Sequence, residues 1–97
     1  MRVAFASKEL ERICTDERYM QRKLGAKVAK TLKIRIASLT RAQHTDDLLE
    51  DIGHWKPLTA DRSGQWSARL TGNWRLIIEP DESQCITVTV IAVEDYH

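Results

Sequence analysis

Glu94-Asp95-Tyr96-His97 place a carboxylate, a phenol and an imidazole directly after an apolar, β-rich run at residues 86–93. An imidazole in such company can give or take a proton near neutral pH. Asp95 and His97 are two residues apart, so a regular strand would present both on one face. Taken alone, His97 also reads as a frayed chain end; a strand running up to it would hold it in place. A second segment carries guanidinium groups. Trp66, Ala68 and Leu70 alternate with Gln65, Ser67 and Arg69, and Trp74, Leu76 and Ile78 alternate with Arg75 and Ile77. Thr71-Gly72-Asn73 between them reads as a tight hairpin turn. If the apolar set faces a core, Ser67, Arg69 and Arg75 share the opposite, open face. Pairing of the two strands then brings both guanidinium groups within reach of one spot.

These groups need elements to position them. Residues 2–6 suit a short opening strand. Ser7 is a good N-cap, with Leu10, Ile13 and Cys14 in helical spacing behind it. Asp16 can cap the next start. Leu24, Val28, Leu32, Ile36 and Leu39 form one continuous helical stripe, which Gly25 can split. Lys23, Lys27 and Lys30 form a second stripe that suits solvation and phosphate contact equally. Residues 45–52 predict a brief further helix with Thr45 as its N-cap. After Gly53 the texture becomes β. Residues 55–59 tolerate Pro57 only in a short or edge strand. Asp61-Arg62-Ser63-Gly64 is a turn, and Arg62 reads first as part of it. Ile86, Val88, Val90 and Ala92 close the sheet. Trp66 and Trp74 are in phase with the core; Trp55, among polar neighbours, leaves core and surface contact both open. The expected fold class is α+β, a small, mostly antiparallel sheet with two N-terminal helices packed on one face.

Bulk composition narrows the class. Ninety-seven residues, 42% of them hydrophobic, fit a single domain over residues 1–97 with a real core. No apolar stretch approaches the ~18 residues of a membrane helix, and the start is too short in apolar residues for a secretion signal. A cytoplasmic protein with no membrane partner is expected. Cys14 and Cys85 show no metal spacing with the three histidines and read as reduced, buried thiols. Net charge is +1, but residues 1–42 carry eleven Lys/Arg against four Asp/Glu, and residues 43–97 carry four against ten. A basic half suits a polyanion or an acidic partner, or a solvated helical surface.

Gly72-Asn73-Trp74-Arg75 and Glu94-Asp95-Tyr96-His97, with Asp61-Arg62-Ser63-Gly64 and Trp66-Ser67 before them, resemble the HigB-like killer toxins of the RelE superfamily over nearly the whole chain. The resemblance implies a RelE-like microbial ribonuclease fold. It implies an endoribonuclease, an mRNA interferase, that enters the ribosomal A site and inhibits translation with no metal and no cofactor. The implied partners are mRNA, the ribosome and a cognate helix-turn-helix antitoxin, with operator DNA reached only through the antitoxin complex. The implied catalytic set is His97, Asp95, Tyr96, Arg75 and Lys56, with Arg69, Arg62 and His54 contacting RNA. In-line attack of a ribose 2′-OH on phosphate needs a base, an acid and cations for the developing charge. His97 and Asp95 can carry protons, Tyr96 can stack on a base, and Arg75 can grip a phosphate bidentately.

The chain departs from the family where His-x-Leu-Lys-Gly-Asp is usual: here it reads Lys56-Pro57-Leu58-Thr59-Ala60-Asp61. Lys56 can take over as cation or base, which resembles the lysine and arginine set of RelE itself. His54, two residues earlier and on the same side of a regular strand, can reach the site instead. The third outcome is weakened activity, which leaves a non-catalytic RNA- or antitoxin-binding module of the same fold.

Overall fold

The computed structural model describes residues 1–81 and 87–95. After β1, Arg2–Phe5, the side chain of Ser7 accepts the Leu10 backbone N–H at 3.1 Å and starts α1, Lys8–Thr15. Asp16 stops α1 and caps α2, Glu17–Leu24, by accepting from the Tyr19 N–H at 3.2 Å. Gly25 ends α2 and opens α3, Ala26–Arg41, with φ +83°, where a side chain would be strained. Both predicted breaks are used, so the region expected to give two helices gives three. The short α4, Thr45–Leu49, is capped one residue earlier than predicted. His44 Nδ1 accepts from the Asp46 N–H at 3.2 Å, and the Asp47 carboxylate accepts the His44 N–H at 3.2 Å.

The strands that follow are β2, Lys56–Pro57; β3, Trp66–Arg69; β4, Trp74–Pro80; and β5, Thr87–Asp95. They form one sheet in the order β1-β5-β4-β3-β2, with β1 parallel to β5 and every other pair antiparallel. Pro57 sits where its missing N–H is tolerated, in a two-residue edge strand. Ala68, Leu76, Ile78, Val88 and Val90 bury one sheet face in a core shared with Met20, Leu32 and Leu39 of the helices. Each such large side chain contributes roughly 1.5–3 kcal/mol on burial. Trp66 and Trp74 pack against this core from its margin.

Trp55 belongs to the core as well, at 5% exposure, and its Nε1–H donates to Asp51 at 3.0 Å. Burial pushes the Asp51 carboxyl up, but hydrogen bonds from Trp55, Ser38, Ile52 and Gly53 outweigh it and hold the group below its ordinary value. Arg35 of α3 donates Nε–H to the Arg69 carbonyl at 3.0 Å, and the Arg69 N–H donates to Gly53 at 3.0 Å. The segment before β2 is thus clasped to α3 and β3. Burial pushes the Cys14 thiol up to about 11, which keeps it protonated and inert; Cys85 lies outside the described residues. Among the described residues no helix is long and apolar enough to cross a membrane.

Candidate functional site

Residues 43–97 hold four cationic side chains, Lys56, Arg62, Arg69 and Arg75. Lys56, Arg62 and Arg75 line a single cavity of about 280 Å³ on the open face of the sheet, with Leu58, Thr59, Asp61, Ser67 and Ile77. Strand register explains the convergence. Lys56 opposes Ser67, Ser67 opposes Ile77, and Ile77 opposes Ala92, one row across four strands. Two residues further along, Arg69 opposes Arg75 and Arg75 opposes Glu94. Arg69 is exposed in this second row and does not line the cavity. The face expected for Ser67, Arg69 and Arg75 is the face they occupy.

Like charges directly opposite on paired strands are destabilising, so the Arg69–Arg75 pair costs stability. Arg75 is nevertheless fixed. Its Nη1 donates to the carbonyls of Thr71 at 3.0 Å, Gly72 at 3.2 Å and Trp74 at 3.0 Å. The turn that joins β3 to β4 therefore holds one end of the guanidinium. Its Nε and Nη2 make no hydrogen bond among the described residues. Arg62 arrives from a 3₁₀ turn, Ala60–Arg62, that roofs the cavity. It grips Glu94 with both nitrogens of its fork, Nη2 to Oε1 at 2.7 Å and Nη1 to Oε2 at 3.4 Å. Ala60 opens this turn at φ +59°, in the left-handed region that favours glycine. The motif that this stretch resembles has glycine at that place.

Two expected members are elsewhere. His54 sits at φ +53° and is exposed, beside Trp55, which turns into the core. The regular strand that would have aligned His54 with Lys56 does not exist there, because β2 begins only at Lys56. Asp95 opposes Trp74, on the sheet face that carries the helices, while Glu94 opposes Arg75. The cause is a bulge in β5. Ile77 pairs with Ala92 but Ile78 pairs with Val90, so Ile91 is passed over and the alternation inverts. Val88 and Val90 face the core, and Ala92, two residues on, is turned to the open face. Tyr96 and His97 lie outside the described residues. Glu94 is the site residue that sequence reasoning left unassigned, and only the bulge puts it there. Thr59, at the position of the family lysine, lines the cavity.

No protein-family model and no curated protein matches this chain in sequence. Solved structures do match it in shape. A YoeB/ParE toxin from Agrobacterium tumefaciens superposes with a TM-score of 0.70 at 17% identity, covering 100% of both chains. A YoeB–YefM complex from Staphylococcus aureus gives 0.67 at 23% identity, over 100% of this chain and 97% of the other. The RelBE2 toxin–antitoxin complex from Mycobacterium tuberculosis gives 0.55 at 21% identity, over 99% and 96%. The fold is that of YoeB-type toxins. The HigB-like branch that the C-terminal motif resembles is not among these three structures.

Proposed function

We propose that this protein is the toxin of a type II toxin–antitoxin pair, in the HigB-like branch of the RelE superfamily, and that it cuts ribosome-bound mRNA without a metal. The observation that carries this reading is the convergence of Lys56, Arg62 and Arg75 on one cavity in an otherwise acidic half of the chain. A scissile phosphate seated there meets the unengaged edge of Arg75. Because the turn carbonyls already hold that guanidinium, little reorganisation is needed as equatorial charge develops. Lys56 stands one row away as a second cation or as the base for the 2′-OH. His97 supplies the remaining proton transfer, and Tyr96 supplies a stacking surface. Asp95, expected as a proton carrier, pairs with Trp74 on the other face of the sheet, and this argues against that role at a phosphate held by Arg75. A cognate antitoxin is the expected partner, since the Staphylococcus aureus YoeB structures include complexes with YefM.

Inducible expression with transcript ends mapped genome-wide tests this reading. Wild type should arrest growth and cut transcripts at discrete positions, and Arg75→Ala and His97→Ala should abolish the cuts. Arrest with intact transcripts would instead favour a binding module of the same fold, the reading that Thr59 in place of the usual lysine supports. An unchanged cut pattern in folded Arg75→Ala would remove the site assignment.

A further inference from the structure

A carboxylate lines the cavity beside its three cations. It belongs to Asp61, the middle residue of the 3₁₀ turn, and no other Asp or Glu among the described residues lines the same space. Aspartate is a favoured turn residue because its side chain hydrogen-bonds nearby backbone. The Asp61 side chain makes no such bond and no ion pair among the described residues, so turn chemistry does not account for it. An anion in a phosphate-binding cavity also repels the ligand, a cost that a proton-transfer role would offset. We infer that Asp61 is the general base of the cleavage proposed above, on which this assignment rests, and that its carboxylate takes the proton of the ribose 2′-OH.

The other polar groups of the cavity are poorly suited to that role. An ammonium or guanidinium has donors only, whereas an ionised carboxylate only accepts. Lys56 can therefore act as a base only after losing its own proton, and Thr59 and Ser67 offer hydroxyls, which are weak bases. The turn that carries Asp61 is also fixed. The Arg62 N–H donates to the Thr59 carbonyl at 3.2 Å, the Ser63 N–H to Ala60 at 3.1 Å and the Gln65 N–H to Arg62 at 3.1 Å. The bidentate Arg62–Glu94 pair ties the same turn to β5. Ala60 adopts left-handed backbone to enter it, and strain of this kind clusters at functional sites. The step then balances. The 2′-oxygen bonds to phosphorus as Asp61 takes its proton, and Arg75 meets the charge on the phosphate oxygens. The bond from phosphorus to the 5′-oxygen breaks, and that oxygen leaves with a proton from His97, in the role proposed above. The products are a 2′,3′-cyclic phosphate and a 5′-hydroxyl; Asp61 returns its proton to solvent and His97 regains one.

The test is single-turnover cleavage of a short mRNA on isolated ribosomes by the purified full chain, across a pH series. Asp61→Asn should cut about 10²–10⁴-fold more slowly, the usual contribution of a positioned base. It should bind an RNA blocked by 2′-O-methyl groups at least as tightly as wild type, because the site loses an anion and keeps its cations. The wild-type rate should fall on the acidic side as the base is protonated. That limb should vanish in Asp61→Asn and persist in Asp61→Glu, which keeps a carboxylate. The charged groups around Asp61 are Lys56 of β2, Arg75 of β4, Arg62 of its own turn and, through Arg62, Glu94 of β5. Glu94→Gln separates the two carboxylates, and the limb should stay. A substrate with sulfur in place of the 5′-oxygen, which leaves without an acid, should rescue His97→Ala and not Asp61→Asn. An undiminished rate in Asp61→Asn, a loss of rate matched by a loss of RNA binding, a limb that follows Glu94 instead, or rescue of Asp61→Asn by the sulfur substrate would each overturn the assignment. Any of these, with discrete cuts by wild type, removes Asp61 and leaves the nuclease; a wild type that cuts nothing removes both.

Discussion

The two halves of the chain use their cations in opposite ways. Residues 1–42 hold eleven Lys/Arg, and, apart from Arg35 with its bond to the Arg69 carbonyl, those on the helices that pair do so on the helical surface. Lys33 meets Glu17 at 3.0 Å with both side chains more than half exposed. The Arg12 guanidinium lies 3.9 Å from the Tyr19 ring centroid and 4.0 Å from Asp16. Lys27 and Lys30 are simply exposed. Such surface pairs contribute little. Residues 43–97 are acidic overall, yet strand register and one roofing turn gather their four cations on one face. Charge density therefore points away from the half that carries the candidate site. The informative sign is two arginines forced opposite each other, at a cost that a purely structural sheet would avoid.

The sharpest way to break this comparison is Arg75→Ala. Loss of one preorganised donor at a developing charge typically costs about 10²–10³ in rate, so cleavage measured on isolated transcripts and ribosomes should fall by that much. Thermal stability should fall little, because relief of the Arg69 repulsion offsets much of the loss of three hydrogen bonds, two of them part-buried, that all come from one guanidinium nitrogen. A large drop in melting temperature would reassign Arg75 to the fold. The next largest effect is Gly53→Ala. A Cβ there would lie 2.7 Å from Trp55 Nε1 and 2.8 Å from Arg35 Nε. Neither neighbour gives way freely, since Trp55 is held by Asp51 and Arg35 by the Arg69 carbonyl. Overpacking of this kind costs about 1–3 kcal/mol, measurable by urea unfolding. Cleavage should weaken with it, because the clasp sets where β2 presents Lys56. Full stability in this variant would mean that the clasp does not position the site.

What could be read from the residues was local or periodic. Ser7, Asp16 and Gly25 set helix boundaries by chemistry confined to a few neighbours, and all three do so here. The β3–β4 alternation put Arg75 on the open face because the hairpin is regular. The misplacements share another cause. Nothing in Val90-Ile91-Ala92-Val93 marks which residue will be passed over, since all four are small or branched apolar groups. The bulge falls just past Val90, where pairing with β1 ends, so its place depends on neighbouring strands and not on the local residues. One skipped residue exchanged Glu94 for Asp95. His54 failed similarly: a single positive φ before Trp55 cancels a two-residue spacing argument.

Two smaller effects sharpen the contrast between the halves. Ala60 holds the left-handed backbone at the cavity roof. That conformation costs an L-residue roughly 1–2 kcal/mol, of which glycine returns part as unfolded-state entropy. Ala60→Gly should therefore raise stability by up to about 1 kcal/mol in urea unfolding, with the cavity unchanged; a loss would mean that the turn is not strained. The smallest effect belongs to the basic half. Lys33→Ala removes the 3.0 Å contact with Glu17, an exposed pair worth about 0.2–1 kcal/mol at most and less in salt. It should shift the unfolding midpoint barely at low salt and not at all at high salt. A salt-independent loss would show that Lys33, like Arg35, helps to hold the fold, and that the two halves differ less than their pairing suggests.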